Sequence, residues 1–436
     1  MSTPTVTHWI SSTQARCWHE NACPDPCSEE GGNLILSAAT EQTWEGLGAS
    51  FNELGCLALA SLEPDQRRWV MAQLFHPTEG CGLNWARVGI GANDFARSWY
   101  SLNETDGDYE MRRFSIDRDR RVMIPAVKLA LECRPDLMLF GSPWSPPTWM
   151  KHPRAYNYGT LVWDDRTLRA YALYFLKFVQ AYRAEGIKVA QVHVQNEPNS
   201  DQKFPSCLWT GEKMRDFIRD YLGPLFRDSN EACEIWAGTI ERDDYNAWAN
   251  TILTDPRARA YVSGVSYQWA GRGSVRRTHE SWPGLRLMQS ENECGDGDNS
   301  WEYAEYVFDL FQHYISSGVV IYMYWSMMLA PGGRSTWGWE QNSMITIDPQ
   351  TRQITLNPEF YVMKHFSRFI APGAVRIAPQ GPWTGNSVAF TNPDGSRSVV
   401  VHNPFAEPRP LALKCGDACF AFELAPRSFN TVCLTP

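Results

Sequence analysis

A chain of 436 residues with 40 basic and 49 acidic side chains, net charge −9, has no basic face to offer nucleic acid or an anionic membrane. Its 43% hydrophobic and 20% charged residues give it ample apolar surface to bury, which excludes a disordered chain, and its length suits one large domain plus a small one. No run approaches the roughly 18 apolar residues that a membrane-spanning helix needs.

The first 13 residues have neither a basic nor an apolar signal region, so no signal peptide is expected and the chain reads as cytoplasmic. Its 12 cysteines are then expected to stay reduced. Cys17, Cys23 and Cys27 cluster loosely around His19, but no spacing is C-x-x-C, and scattered thiols are a better reading than a metal site.

From residue 42 onward eight short apolar runs recur, most of them followed by a helical stretch: 44–52, 83–91, 137–144, 189–197, 233–239, 262–269, 285–291 and 319–325. Near-continuous apolar strands alternating with helices point to parallel strands covered on both faces. Eight such units predict an α/β protein with a closed (β/α)8 TIM barrel. Asp164-Asp165 opens a helix carrying Leu168, Tyr171, Ala172, Phe175 and Leu176, which stops at Gly186. A second runs from Thr210 toward Phe226, interrupted or ended by Gly223-Pro224. Asn299 or Ser300 caps a third, through Tyr303, Val307, Leu310 and Tyr314 to Gly318. The sixth strand is followed by a polar, Arg-rich connection with little helical pattern.

The flanks read differently. The C-terminal piece alternates and carries turn signals at Asn392-Pro393-Asp394-Gly395 and Pro408-Arg409-Pro410. Neither flank buries much core alone, so residues 1–41 and 372–436 are expected to join in one β-sandwich side domain beside a catalytic barrel at 42–371.

In a barrel the chemistry sits at the C-terminal strand ends. Gln195-Asn196-Glu197-Pro198 ends the fourth strand and Gln289-Ser290-Glu291 the seventh, so Glu197 and Glu291 can flank a glycosidic bond. One carboxyl must stay protonated for the leaving oxygen; the other must be ionised. A separation near 5 Å would give a covalent intermediate and retention, and roughly 6.5 Å or more would give inversion. Glu293, two residues on, competes with Glu291, which is favoured because a polar, Gly-rich loop starts directly after it. Arg87 on the second strand can hold the nucleophile ionised or belong to a structural ion pair. Asp94 and Asn196 can bond sugar hydroxyls, and Trp144 and Trp325, at the tips of strands three and eight, can floor a sugar site. Nineteen Trp residues lean the same way.

Together these pieces resemble glycoside hydrolase family 30, the glucosylceramidase-like family. The matching motifs are Gly46-Leu47-Gly48-Ala49-Ser50-Phe51-Asn52-Glu53, Arg87-Val88-Gly89-Ile90 with Asp94-Phe95, the Ser-Pro-Trp-Ser-Pro-Pro-Thr-Trp-Met-Lys run at 142–151, residues 195–198, residues 289–291, and Tyr324-Trp325 followed by Gly332-Gly333. They come in family order. The resemblance implies a barrel fused to a β-sandwich from both termini, retention, and no metal or organic cofactor. It implies Glu197 as acid/base, Glu291 as nucleophile, and Asp94, Trp144, Asn196 and Trp325 as lining the glycone pocket. One departure stands out. Where the glucosylceramidases carry His-Trp-Tyr, this chain has Gln268-Trp269-Ala270, so a Tyr that contacts the nucleophile is missing, with Tyr267 the one candidate to replace it; Tyr267 and Trp269 are both expected among the substrate-binding residues. The insert at 199–209, with Lys203 and Phe204, is expected to shape the aglycone rim.

The expected activity is that of a retaining, exo-acting β-glucosidase on a small β-glycoside or oligosaccharide. β-Xylosidase, β-fucosidase and β-1,6-glucanase are the alternatives of the same chemistry. A transglycosidase and a non-catalytic carbohydrate-binding protein are those of other classes. The partner is a carbohydrate, with no nucleic acid or membrane expected.

Overall fold

The computed structural model describes residues 4–27 and 32–436; the remaining residues of the N-terminal flank, 1–3 and 28–31, lie outside the described residues. Eight strands close into a barrel: β1 (Gly46–Ser50), β2 (Trp85–Gly89), β3 (Met138–Ser142), β4 (Val189–His193), β5 (Glu234–Ile240), β6 (Val262–Gln268), β7 (Arg286–Glu291) and β8 (Ile321–Ser326). All pair in parallel, and β8 closes the ring by setting Tyr322 opposite Leu47 of β1. The strands are apolar almost throughout because both faces are covered, one by helices and one by the barrel's own filling.

That filling leaves one end of the barrel for a ligand. Phe140, Trp236, Met288, Ile321 and Met323 pack together in the interior. The His193 ring lies between Phe140 at 4.3 Å and Trp236 at 5.4 Å. The barrel is thus plugged below and open above.

The helix Asp165–Ala184 starts where Asp164 accepts the Thr167 N–H at 2.8 Å. Ser300 caps the helix Trp301–Ser316 through the Tyr303 N–H at 3.2 Å. Thr210 caps Gly211–Phe217, which passes through a π-helical turn at Ile218–Leu222 into Gly223–Asp228. Pro224 has no N–H to give, and the wider turn falls directly before it. The Arg-rich connection after β6 departs from its expectation: it is a helix, Arg272–Ser281. Only Ser274, Val275 and Thr278 face inward, so no apolar stripe marks it in the sequence.

Both flanks meet in one nine-stranded sheet folded into the sandwich. Thr5–Ser12 pairs antiparallel with Ser428–Thr435, and Leu34–Thr43 lies between Val375–Gln380 and Arg409–Cys415. Leu34, Val399, Leu413, Phe420 and Val432 belong to a core separate from that of the barrel. The junction is polar and specific. His365, on the last barrel helix Pro358–Ser367, bonds Thr431 Oγ1 through Nδ1 at 2.8 Å and Ser12 Oγ through Nε2 at 2.9 Å. Burial, with Lys364 beside it, holds this imidazole down to about 3. Among the described residues no helix is long and apolar enough to cross a membrane.

Candidate active site

Glu291 is the last residue of β7 and only 6% exposed. Glu197 lies four residues beyond β4, where the chain turns left-handed at φ 47°. Its N–H is held by the Thr239 carbonyl at 3.2 Å, and that of Asn196 by Pro143 at 2.8 Å. A left-handed non-glycine residue costs of order 1–3 kcal/mol, which the surrounding hydrogen bonds must offset. Trp269, directly after β6, has the same backbone conformation at φ 49°. Both left-handed side chains line a pocket of about 390 Å³ at the open barrel end, together with Glu291, Asn196, Asp94 and Trp144.

Arg87 organises this set from below. It is fully buried, with its guanidinium 4.5 Å from the Trp144 ring and 5.5 Å from Trp325. Nη1 donates to Glu291 Oε2 at 2.5 Å and Nη2 to Asn196 Oδ1 at 2.6 Å, while Ser142 Oγ accepts from Nε at 3.1 Å. The Thr239 hydroxyl also donates to Asn196 Oδ1, at 3.2 Å. The amide oxygen of Asn196 is therefore occupied, which leaves its NH2 to donate into the pocket.

Between the two carboxylates stands Gln268 at the tip of β6. Its Nε2 donates to Glu197 Oε1 and to Asn196 Oδ1, each at 3.3 Å. Its Oε1 accepts from Ser290 Oγ at 3.0 Å, which fixes the amide's orientation. Burial, then the charge of Glu291, pushes Glu197 well above the usual carboxylate range, with Glu241 and Asp94 adding to it. Burial raises Glu291 too, but Arg87, Trp269 and Gln268 all favour its ionised form. A proton shared by the pair therefore resides on Glu197. Burial and Glu291 push Asp94 up to about 8, and its Oδ1 has no hydrogen-bond partner.

Other residues singled out in the sequence sort as follows. Glu293 is held by Arg272 at 2.8 Å and by the Tyr306 hydroxyl, away from Arg87. The Tyr267 side chain does not reach the pocket: it is buried in the barrel wall, where its hydroxyl meets Thr278 Oγ1 at 2.6 Å. Strand alternation points it outward from the barrel, opposite to its neighbour Gln268. The missing donor to Glu291 comes instead from Trp269, whose Nε1 reaches Oε1 at 3.3 Å, while Ala270 leaves open space beside it. Trp325 lies under the floor, packed on Trp144 at 5.5 Å. Sequence reasoning missed Glu241, a buried third carboxylate in the pocket, held by Asn199 N–H and Ser200 Oγ, each at 3.0 Å. Among the described residues no cluster of three or more His, Cys, Asp or Glu is placed to hold a metal ion.

Two buried carboxylates at the mouth of a (β/α)8 barrel, one biased to keep a proton and one to lose it, are the equipment of a glycoside hydrolase. The chain belongs to glycosyl hydrolase family 30: residues 44–370 match the family's TIM-barrel domain and residues 373–432 its beta sandwich domain. It is 32% identical to putative glucosylceramidase 2 of Caenorhabditis elegans, over 87% of this chain and 78% of that protein. It is 29% identical to an endo-1,6-beta-D-glucanase of Neurospora crassa, over 84% of this chain and 79% of the other. The solved structure of SrfJ from Salmonella typhimurium superposes with a TM-score of 0.91 at 25% identity, covering 99% of both chains.

Proposed function

We propose that this glycoside hydrolase is a retaining, exo-acting β-glucosidase in which Glu197 is the general acid/base and Glu291 the nucleophile. The observation that carries this is the pair of carboxylates in one pocket, Glu197 held by Gln268 Nε2 and Glu291 by Arg87 and Trp269 Nε1, each near enough for the charge of Glu291 to raise Glu197. Glu197 gives its proton to the departing oxygen while ionised Glu291, oriented by Arg87 and Trp269, attacks the anomeric carbon. The glycosyl–Glu291 ester then forms and the leaving alcohol departs. Glu197, now a carboxylate, takes a proton from water, which opens the ester and restores both groups. Trp144 offers a face to the sugar ring, Asp94 Oδ1 an acceptor and the Asn196 NH2 a donor for its hydroxyls. Glucose as the glycone is supported by the glucosylceramidase and glucanase relatives. The catalytic pocket, about 390 Å³, has room for one terminal sugar ring, which supports action at a chain end.

The deciding experiment removes each competing carboxylate. Glu291→Gly is expected to be inactive on p-nitrophenyl β-glucoside and to be rescued by azide, giving the inverted α-glycosyl azide. Rescue of Glu293→Gly in its place would move the nucleophile two residues along the chain.

A further inference from the structure

A second depression adjoins the catalytic pocket. It has a volume of about 530 Å³ and shares Gln202 and Trp339 with the pocket. Its walls are the indoles of Trp337 and Trp339, which meet nearly at right angles, 86°, with centroids 5.1 Å apart. Phe204 stacks behind Trp337 at 5.3 Å, and Lys203 Nζ lies 4.5 Å from the same ring. Trp339 in turn leans on Trp269, the donor to Glu291. The rim is polar: Lys203, Asp296 and Glu340 are exposed around the two indoles. Trp337 Nε1 is buried and has no hydrogen-bond partner.

We propose that this aromatic corner is a subsite for the departing sugar, so that the preferred substrate is a β-linked saccharide rather than a lipid glycoside. The inference rests on the catalytic reading above. Its direction comes from the chain: Gln202 and Lys203 sit on the loop that leaves Glu197, and a proton donor stands on the leaving-group side of the bond it cleaves. Its chemistry comes from the lining. A sugar ring presents C–H faces to stack on indoles and a belt of hydroxyls that can bond an ammonium and two carboxylates. A pair of alkyl chains in the same place would strip water from those charged groups and offer them nothing in return.

The test compares leaving groups on the full chain. Rates are measured on β-glucosyl fluoride, whose leaving group is one atom, on cellobiose, laminaribiose and gentiobiose, and on octyl β-glucoside. Trp337→Ala is expected to lower kcat/KM for the best disaccharide about ten-fold more than for the fluoride, with Trp337→Phe recovering most of that difference. Lys203→Ala, which leaves the Phe204–Trp337 stack in place, is expected to shift the same ratio by about two-fold and decides the matter if Trp337→Ala does not fold. Equal losses on fluoride and disaccharide, no loss in either variant, or a preference for the octyl glucoside that Trp337→Ala abolishes would each overturn the subsite. If the unaltered chain cleaves none of these compounds, it is the catalytic reading that has failed. Calorimetric binding of the disaccharides then judges the subsite separately: binding weakened by Trp337→Ala upholds it, and binding that is absent or unaltered overturns it.

Discussion

Arg87 bonds Glu291 and Asn196 at once, so the nucleophile candidate and the residue next to the acid candidate are set by one rigid guanidinium. Neighbours of this kind decide which carboxyl keeps a proton, and that can be read from kinetics. Glu197→Ala is expected to lower kcat about a thousand-fold on alkyl glucosides, which need the proton, and far less on activated aryl glucosides. Similar losses on both substrate classes would remove Glu197 from the acid role. Glu241 gives a finer test. Its charge helps to raise Glu197, so Glu241→Gln lowers the Glu197 value. Activity requires Glu197 protonated and is lost as pH rises through that value. The alkaline limb of the kcat/KM profile therefore moves to lower pH in Glu241→Gln, and the acid limb, set by Glu291, moves less. An alkaline limb that stays in place would mean that Glu241 does not act on Glu197.

At the scale of single elements, caps and strand ends do the positioning. Ser300 starts the helix Trp301–Ser316, which follows the loop leaving Glu291. Ser300→Ala is expected to cost about 1 kcal/mol of unfolding free energy, seen as a lower urea midpoint at unchanged slope. An unchanged midpoint would show that the Tyr303 N–H finds another acceptor. The same scale explains what was legible in the sequence. The eight strands could be read because each is a largely apolar run, and Glu291 because it ends one, whereas Glu197 lies four residues beyond β4 on the turn that follows. The helix Arg272–Ser281 could not, since it buries only three small or medium side chains. Glu241 was hidden because it opens a Glu-Arg-Asp-Asp run that looks like a solvated turn, and nothing local reveals that Asn199 and Ser200 come to meet it. Trp337 and Trp339 lie in an aperiodic loop, where only the fold brings Lys203 and Phe204 against them. Tyr267 was misplaced for a simple reason: one step along a strand reverses the face.

For the molecule as a whole, the barrel and the sandwich are fastened by His365, which bonds both terminal strands as a neutral ring. The folded value near 3 lies below the ordinary 6.5, so the unfolded chain takes up this proton first as pH falls. The contribution is fully present above about pH 6.5 and is lost below it, by about 1.4 kcal/mol per pH unit until the folded value is reached. Urea unfolding at pH 7, 6 and 5 is therefore expected to show a shallower decline in His365→Gln than in the unaltered chain; parallel declines would acquit His365. The pairing of Thr5–Ser12 with Ser428–Thr435 also has a consequence in time. The strand Thr5–Ser12 must wait during synthesis for a partner made more than 400 residues later. The barrel strands all lie between these two segments, so the barrel can fold before residues 428–435 are made, and the sandwich closes only after them. Until then Thr5–Ser12 presents an open edge, and a chain stopped short of residue 428 is the species most exposed to edge-to-edge aggregation.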